Sequence, residues 1–126
     1  MSASVGLYIH FPFCKAKCLY CDFNSYSTLD WLTEEYQSAI LFELERAFRS
    51  WQFDVKTLYL GGGTPTVMPA EGLASIVSLI CSASQEIVEV TVEANPETIA
   101  FDQLRALQQA GVNRISLGAQ SMNDAE

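Results

Sequence analysis

Three cysteines, Cys14, Cys18 and Cys21, follow the spacing C-x3-C-x2-C. Three thiolates this close can hold a soft metal ion or an iron–sulfur cluster. A fourth thiolate would close the coordination of a [4Fe–4S] cube, whereas three leave one iron open to a further ligand. A zinc site completed by His10 or Asp22 fits the same donors, because zinc accepts three sulfurs and one nitrogen. The remaining cysteine, Cys81, falls four residues after Val77 on the apolar stripe of a predicted helix and reads as a small core residue. A clustered trio with one distant thiol is the pattern of metal ligation in a reducing compartment, not of a disulfide framework.

The cysteines need a scaffold, and the flanking pattern supplies one. A nearly continuous apolar run over residues 5–11 predicts a first strand, buried on both faces. Pro12 ends it, having no N–H and disfavouring helix in the residue before it. The cysteines therefore sit on a loop that leaves the C-terminal end of that strand. Leu32, Tyr36, Ile40, Leu44 and Phe48 recur every four residues and predict an amphipathic helix over about residues 32–49. Asp30 or Thr33 is placed to cap it, Glu34 and Glu35 suit its positive end, and Arg46 and Arg49 its negative end.

Residues 55–60 predict a second strand, broken by Gly61-Gly62-Gly63-Thr64-Pro65-Thr66. Pro69 opens a second helix to about residue 81, with Leu73, Ile76, Val77 and Ile80 on its buried face. The β-branched run over 87–94 predicts a third strand, ended by Asn95-Pro96. A third helix over 101–109 stops at Gly111, and a fourth strand over 113–117 leads into Gly118-Ala119-Gln120-Ser121. Met68 and Met122 read as core residues, and Trp31 and Trp51 as packing anchors beside the first helix.

Alternating strands and helices predict a parallel α/β sheet. Periodicity leaves open whether it is a doubly wound sheet or part of a (β/α) barrel. In both, ligand sites gather at the C-terminal ends of the strands. That rule selects the cysteine loop, residues 61–66, Glu93 with Asn95, and Gln120 with Ser121. Glu93 ends an otherwise apolar strand, where an unpaired charge is costly; a ribose hydroxyl or a sulfonium cation would partner it. Glu89 can share its face. The glycine run lets the backbone approach a ligand closely, but no Lys-Ser/Thr follows, so it is not a Walker phosphate loop. A plain glycine turn and a satisfied buried His10 are the simpler structural readings.

With 126 residues, 49% of them hydrophobic, the chain suffices for one modest domain with a real core. Its net charge of −8, from 7 basic and 15 acidic side chains, argues against a nucleic-acid partner. No apolar run approaches the ~18–20 residues that span a bilayer. The first residues lack the basic segment and long apolar region of a secretory signal, so a cytoplasmic location is expected.

The cysteine spacing, with Tyr20 just before the last cysteine, resembles the radical S-adenosylmethionine (radical SAM) superfamily. The longer run L-Y-I-H-F-P-F-C-x3-C-x2-C-D-F-N is similar to the branch holding the oxygen-independent coproporphyrinogen III dehydrogenases and the HemW-type haem chaperones. The resemblance implies a partial six-unit (β/α) barrel. Three and a half units are present, so residues 1–126 are expected to be the N-terminal portion of a longer core domain. It also implies a [4Fe–4S] cluster on Cys14, Cys18 and Cys21, whose open iron binds the amino and carboxylate groups of S-adenosylmethionine. An electron from such a cluster splits the sulfonium to methionine and a 5′-deoxyadenosyl radical.

By the same resemblance Tyr8 lies near the sulfonium and Tyr20 borders the adenine. Gly62, Gly63 and Thr64 face the methionyl amino group, while Glu93 and Gln120 contact the same ligand. Phe23 stands where the coproporphyrinogen dehydrogenases have a further cysteine, in the pattern C-x3-C-x2-C-x-C. That departure, with G-V-N-R-I-S-L-G-A-Q-S, favours a haem chaperone that inserts haem into target proteins. The porphyrinogen enzyme of porphyrin biosynthesis is the alternative, and a zinc-stabilised structural domain the third reading. The implied partners are S-adenosylmethionine, haem or porphyrinogen, an electron donor and haem-receiving proteins.

Overall fold

Stretches with a hydrophobic period near two form strands and those with a period near 3.6 form helices, in the predicted order. The computed structural model describes residues 3–13, 32–96 and 99–118. Its elements are β1 (Ala3–Phe11), α1 (Thr33–Ser50), β2 (Phe53–Gly62), α2 (Ala70–Ala83), β3 (Glu89–Ala94), α3 (Phe101–Ala110) and β4 (Arg114–Leu117). A short 3-10 turn, Pro65–Val67, joins β2 to α2.

The four strands are parallel and lie in the order β1-β2-β3-β4. This order answers the question that periodicity left open. A doubly wound sheet reverses direction at a switch point, and this one does not. Each crossover steps to the next strand in the same sense, as in a (β/α) barrel. α2 packs against both α1 and α3. Their apolar stripes meet one face of the sheet: Leu58, Leu60, Val90 and Val92 form one cluster with Leu73, Ile76, Val77, Ile80 and Leu107. Each of these side chains is at most 2% exposed, and burying one is worth about 1.5–3 kcal/mol. Leu44 anchors α1 to the same cluster, with Tyr36, Ile40 and Phe48 packed around it.

The opposite face carries the other set of alternating positions, among them Tyr8, His10, Tyr59, Glu93, Arg114 and Ser116. Strand one is therefore not buried on both faces as expected. Ile9 and Phe11 are buried while Tyr8 between them is 55% exposed, because helices cover only one side.

Other expectations are corrected locally. Among the described residues no side chain caps α1: Leu32 occupies the capping position and Thr33 is already helical, while Asp30 lies outside the described residues. β3 begins at Glu89, two residues later than predicted; Ile87 still packs on the core, but Val88 is exposed. Trp51 is 69% exposed, more than a packing anchor would be, while Met68 is buried as expected. Trp31 and Met122 lie outside the described residues. Cys81 packs against the core, its Sγ facing Gly111, where φ of +128° ends α3. Burial pushes the Cys81 thiol up, which keeps it neutral.

Candidate ligand site at the strand ends

Parallel register decides which side chains meet. Tyr8 pairs with Tyr59, His10 with Gly61 and Phe11 with Gly62 across β1 and β2. On the far side Tyr59 pairs with Thr91, and Glu93 with Ser116 of β4. The C-terminal ends of β1, β2 and β3 therefore bring His10, Gly61 and Glu93 to one level, with Tyr8 and Tyr59 one layer below.

Glu93 has the partner its position demands. Tyr59 donates its hydroxyl to Oε1 at 2.6 Å, and the Gly62 N–H donates to Oε2 at 3.3 Å. Tyr59 reaches up from the lower layer by laying its ring beneath Gly61. A Cβ at Gly61 would stand 2.7 Å from Tyr59 Cε1 and 3.1 Å from Glu93 Cδ. Gly62 has φ of +111°, and a Cβ there would stand 2.7 Å from His10 Nδ1 and 2.8 Å from the Phe11 carbonyl oxygen. Both glycines thus make room for the protein's own atoms, apart from any ligand: Gly61 for two side chains, Gly62 for a side chain, a carbonyl and a positive φ.

The glycine turn is also tied to the strand that leads into the cysteines. The Gly63 N–H donates to the Phe11 carbonyl at 2.6 Å, and the Thr64 N–H to the Phe13 carbonyl at 2.7 Å. From the other side Tyr36 of α1 donates its hydroxyl to the His10 carbonyl. Its ring meets Phe11 and Phe13 edge-on, with centroids 6.2 and 5.2 Å away. The backbone is therefore held in place up to the residue before Cys14. The amides of residues 62–64 are all committed within the protein, so this turn is no phosphate cradle. What it can offer a ligand is carbonyl oxygen, which suits a protonated amine.

The Tyr8 ring stacks on Tyr59, with centroids 6.0 Å apart and planes at 24°, and its hydroxyl lies 3.0 Å from His10 Nδ1. Burial, with the Glu93 charge adding to it, pushes the Tyr8 phenol up. Tyr59 is pushed up by its hydrogen bond to Glu93, then by burial and the Glu93 charge; a Ser116 hydrogen bond and the Arg114 charge oppose this. Both phenols keep their protons at neutral pH. Glu89 shares the Glu93 face, where it accepts from Arg114 and from the Thr91 hydroxyl, both at 3.2 Å.

Of the predicted site residues, the structure brings Tyr8, Gly62 and Glu93 together, with Gly63 and Thr64 holding the turn. Cys14, Cys18, Cys21, Tyr20 and Gln120 lie outside the described residues. Among the described residues no group of three His, Cys, Asp or Glu side chains is placed to hold a metal, and no helix is long and apolar enough to cross a membrane. Sequence reasoning missed Tyr59 and Ser116. Alternation in β2 put Tyr59 on the face of Gly61, opposite Leu58 and Leu60; that signal was present.

Known proteins resemble this chain. The chain is 40% identical over 93% of its length to the haem chaperone HemW of Bacillus subtilis, and 39% identical over 95% to that of Escherichia coli. It is 34% identical over 99% of its length to the mitochondrial radical S-adenosyl methionine domain-containing protein 1 of Bos taurus. These matches cover 32%, 33% and 29% of the relatives, so the chain spans about a third of their length. Among solved structures, coproporphyrinogen III oxidase (HemN) of Escherichia coli, a radical SAM enzyme, superimposes with a TM-score of 0.86. That match has 28% identity and covers 98% of this chain and 30% of the other. The profile of the radical SAM superfamily matches residues 8–125, from the second half of β1 through β4, and the chain belongs to that superfamily, whose cofactors are a [4Fe–4S] cluster and S-adenosylmethionine.

Proposed function

We propose that this chain is the N-terminal portion of a radical SAM core that binds S-adenosylmethionine over its strand ends, beside a cluster on Cys14, Cys18 and Cys21, in a cytoplasmic haem chaperone that inserts haem into recipient proteins. One observation carries the ligand reading: a single turn donates the Gly62 N–H to Glu93 and the Gly63 and Thr64 N–H groups to the carbonyls of Phe11 and Phe13, just before Cys14. The residues fit the cofactors. Three thiolates suit iron and leave one coordination position open. When bound, and reduced by an external electron donor, the cluster supplies the electron that cleaves the sulfonium.

The chain's own residues bind and orient the ligand. Glu93 accepts from a ribose hydroxyl or an ammonium group with its remaining lone pairs. The carbonyls of Gly62 and Gly63, with the Thr64 hydroxyl, receive the methionyl amino group. Tyr8 offers an exposed aromatic face to the sulfonium, an arrangement worth about 0.5–2 kcal/mol. The family pattern assigns Tyr20 to the adenine border and Gln120 to a further contact.

Haem delivery is supported by the relatives named haem chaperones and by Phe23, which stands where a dehydrogenase-like pattern has cysteine. The likeness to coproporphyrinogen III oxidase favours a second reading, oxidative decarboxylation of a porphyrinogen. The test uses the intact protein, purified anaerobically. An EPR signal of a reduced [4Fe–4S] cluster that changes with S-adenosylmethionine and is lost in Cys18→Ala supports the cofactor site; a colourless zinc protein refutes it. Haem binding and transfer without porphyrinogen turnover supports the chaperone. Turnover coupled to 5′-deoxyadenosine establishes the enzyme instead.

A further inference from the structure

Tyr59 occupies a place that packing alone does not explain. Its register partner on β3 is Thr91, yet its hydroxyl serves Glu93 one layer higher. The reach is possible because residue 61 has no side chain: the Tyr59 ring takes the space its Cβ would need. Tyr8 stacks on the ring from the β1 side. The phenol is thus packed against β1 while it donates to β3.

A carboxylate has about four lone-pair sites. Tyr59 takes one on Oε1 and the Gly62 N–H one on Oε2, so the group is fixed in two directions before any ligand arrives. We infer that Tyr59 is a positioning residue for Glu93, presetting its carboxylate so that the unused lone pairs meet the S-adenosylmethionine hydroxyl or ammonium group. The inference rests on the reading that Glu93 contacts this ligand. Without the phenol, Glu93 keeps one anchor, and the rotamers it gains must be given up again on binding. Hydrogen bonds to charged groups are strong enough that losing this one weakens binding by about tenfold.

The test is anaerobic equilibrium dialysis of S-adenosylmethionine against the intact, cluster-loaded protein, comparing wild type, Tyr59→Phe, Glu93→Gln and the double variant. Tyr59→Phe keeps the ring and its stack on Tyr8. The expected result is weaker binding in both single variants, about tenfold in Tyr59→Phe, with the double variant no weaker than Glu93→Gln alone. Such non-additivity is the signature of one residue acting through another, which a general structural defect would not give. Wild-type or tighter binding by Tyr59→Phe, with Glu93→Gln impaired, overturns the inference and leaves the Glu93 contact intact. A full additional loss in the double variant also overturns it. Wild-type binding by Glu93→Gln removes the contact and the inference together. Should Tyr59→Phe fail to fold, Tyr59→Leu, which keeps apolar bulk and removes the hydroxyl, carries the same expected loss and the same non-additivity with Glu93→Gln.

Discussion

Gly61 and Gly62 are adjacent, look equivalent in sequence, and should respond differently to alanine. At Gly61 the new Cβ would meet only side chains, Tyr59 Cε1 at 2.7 Å and Glu93 at 3.1 Å. Tyr59 is half-buried and can swing outward, so the overpacking cost falls near the low end of about 1–3 kcal/mol. The restricted unfolded chain returns about 0.4–1 kcal/mol, and the net destabilisation is about 0.5–1 kcal/mol. At Gly62 the obstacles include the Phe11 carbonyl oxygen at 2.8 Å, which is backbone and cannot rotate away. The residue also has φ of +111°, a conformation costing a side chain about 1–3 kcal/mol. Strain and clash together, less the same unfolded-state gain, come to about 2–4 kcal/mol. Gly62→Ala should therefore be about 2 kcal/mol less stable than Gly61→Ala. Urea denaturation of the intact protein, with both variants followed by circular dichroism at unchanged slope, measures the difference. Stabilities within about 0.5 kcal/mol of each other, the usual scatter of such comparisons, would refute the claim that backbone geometry makes the second glycine obligatory.

Other outcomes follow from the same structure. Asp54 accepts from Lys56 at 2.7 Å and from the Gln85 N–H at 3.0 Å, and these bonds hold its carboxyl below the usual carboxylate range. A depressed folded value contributes stability above the unfolded pKa of about 3.9 and loses it as pH falls through the folded value. Asp54→Asn should thus be destabilised at pH 7 with the deficit shrinking in acid; a pH-independent deficit in denaturation midpoints would contradict this. Replacing Cys18 by alanine should abolish bound iron, whereas Cys81→Ala, in the core beside Gly111, should retain it; iron analysis after anaerobic purification separates the two. Trp51→Ala should change stability by no more than about 0.5 kcal/mol, since the side chain is 69% exposed, and a larger loss by denaturation would show a contact the fold does not reveal.

Element order, the helix-one stripe through Leu44, the stop at Gly111 and the core Met68 and Cys81 were readable from the chain alone. Each depends on interactions within a few residues: side-chain period, a missing N–H, a glycine that tolerates positive φ. The cysteine spacing was equally local, and so was the alternation that put a lone acid, Glu93, at a strand end. Sequence could say that Glu93 needed a partner, but not which one. The partner, Tyr59, is 34 residues away and one layer lower, and only parallel register with an empty position at Gly61 lets the two meet. Strand order, which separates barrel-like winding from a reversed sheet, was undetermined for the same reason, since it depends on how crossovers pack and not on any one element's pattern. The exposure of Tyr8 and Trp51 belongs to this class too. Hydrophobic character says that a side chain can be buried, and only the placement of three helices on one face of the sheet decides which ones are.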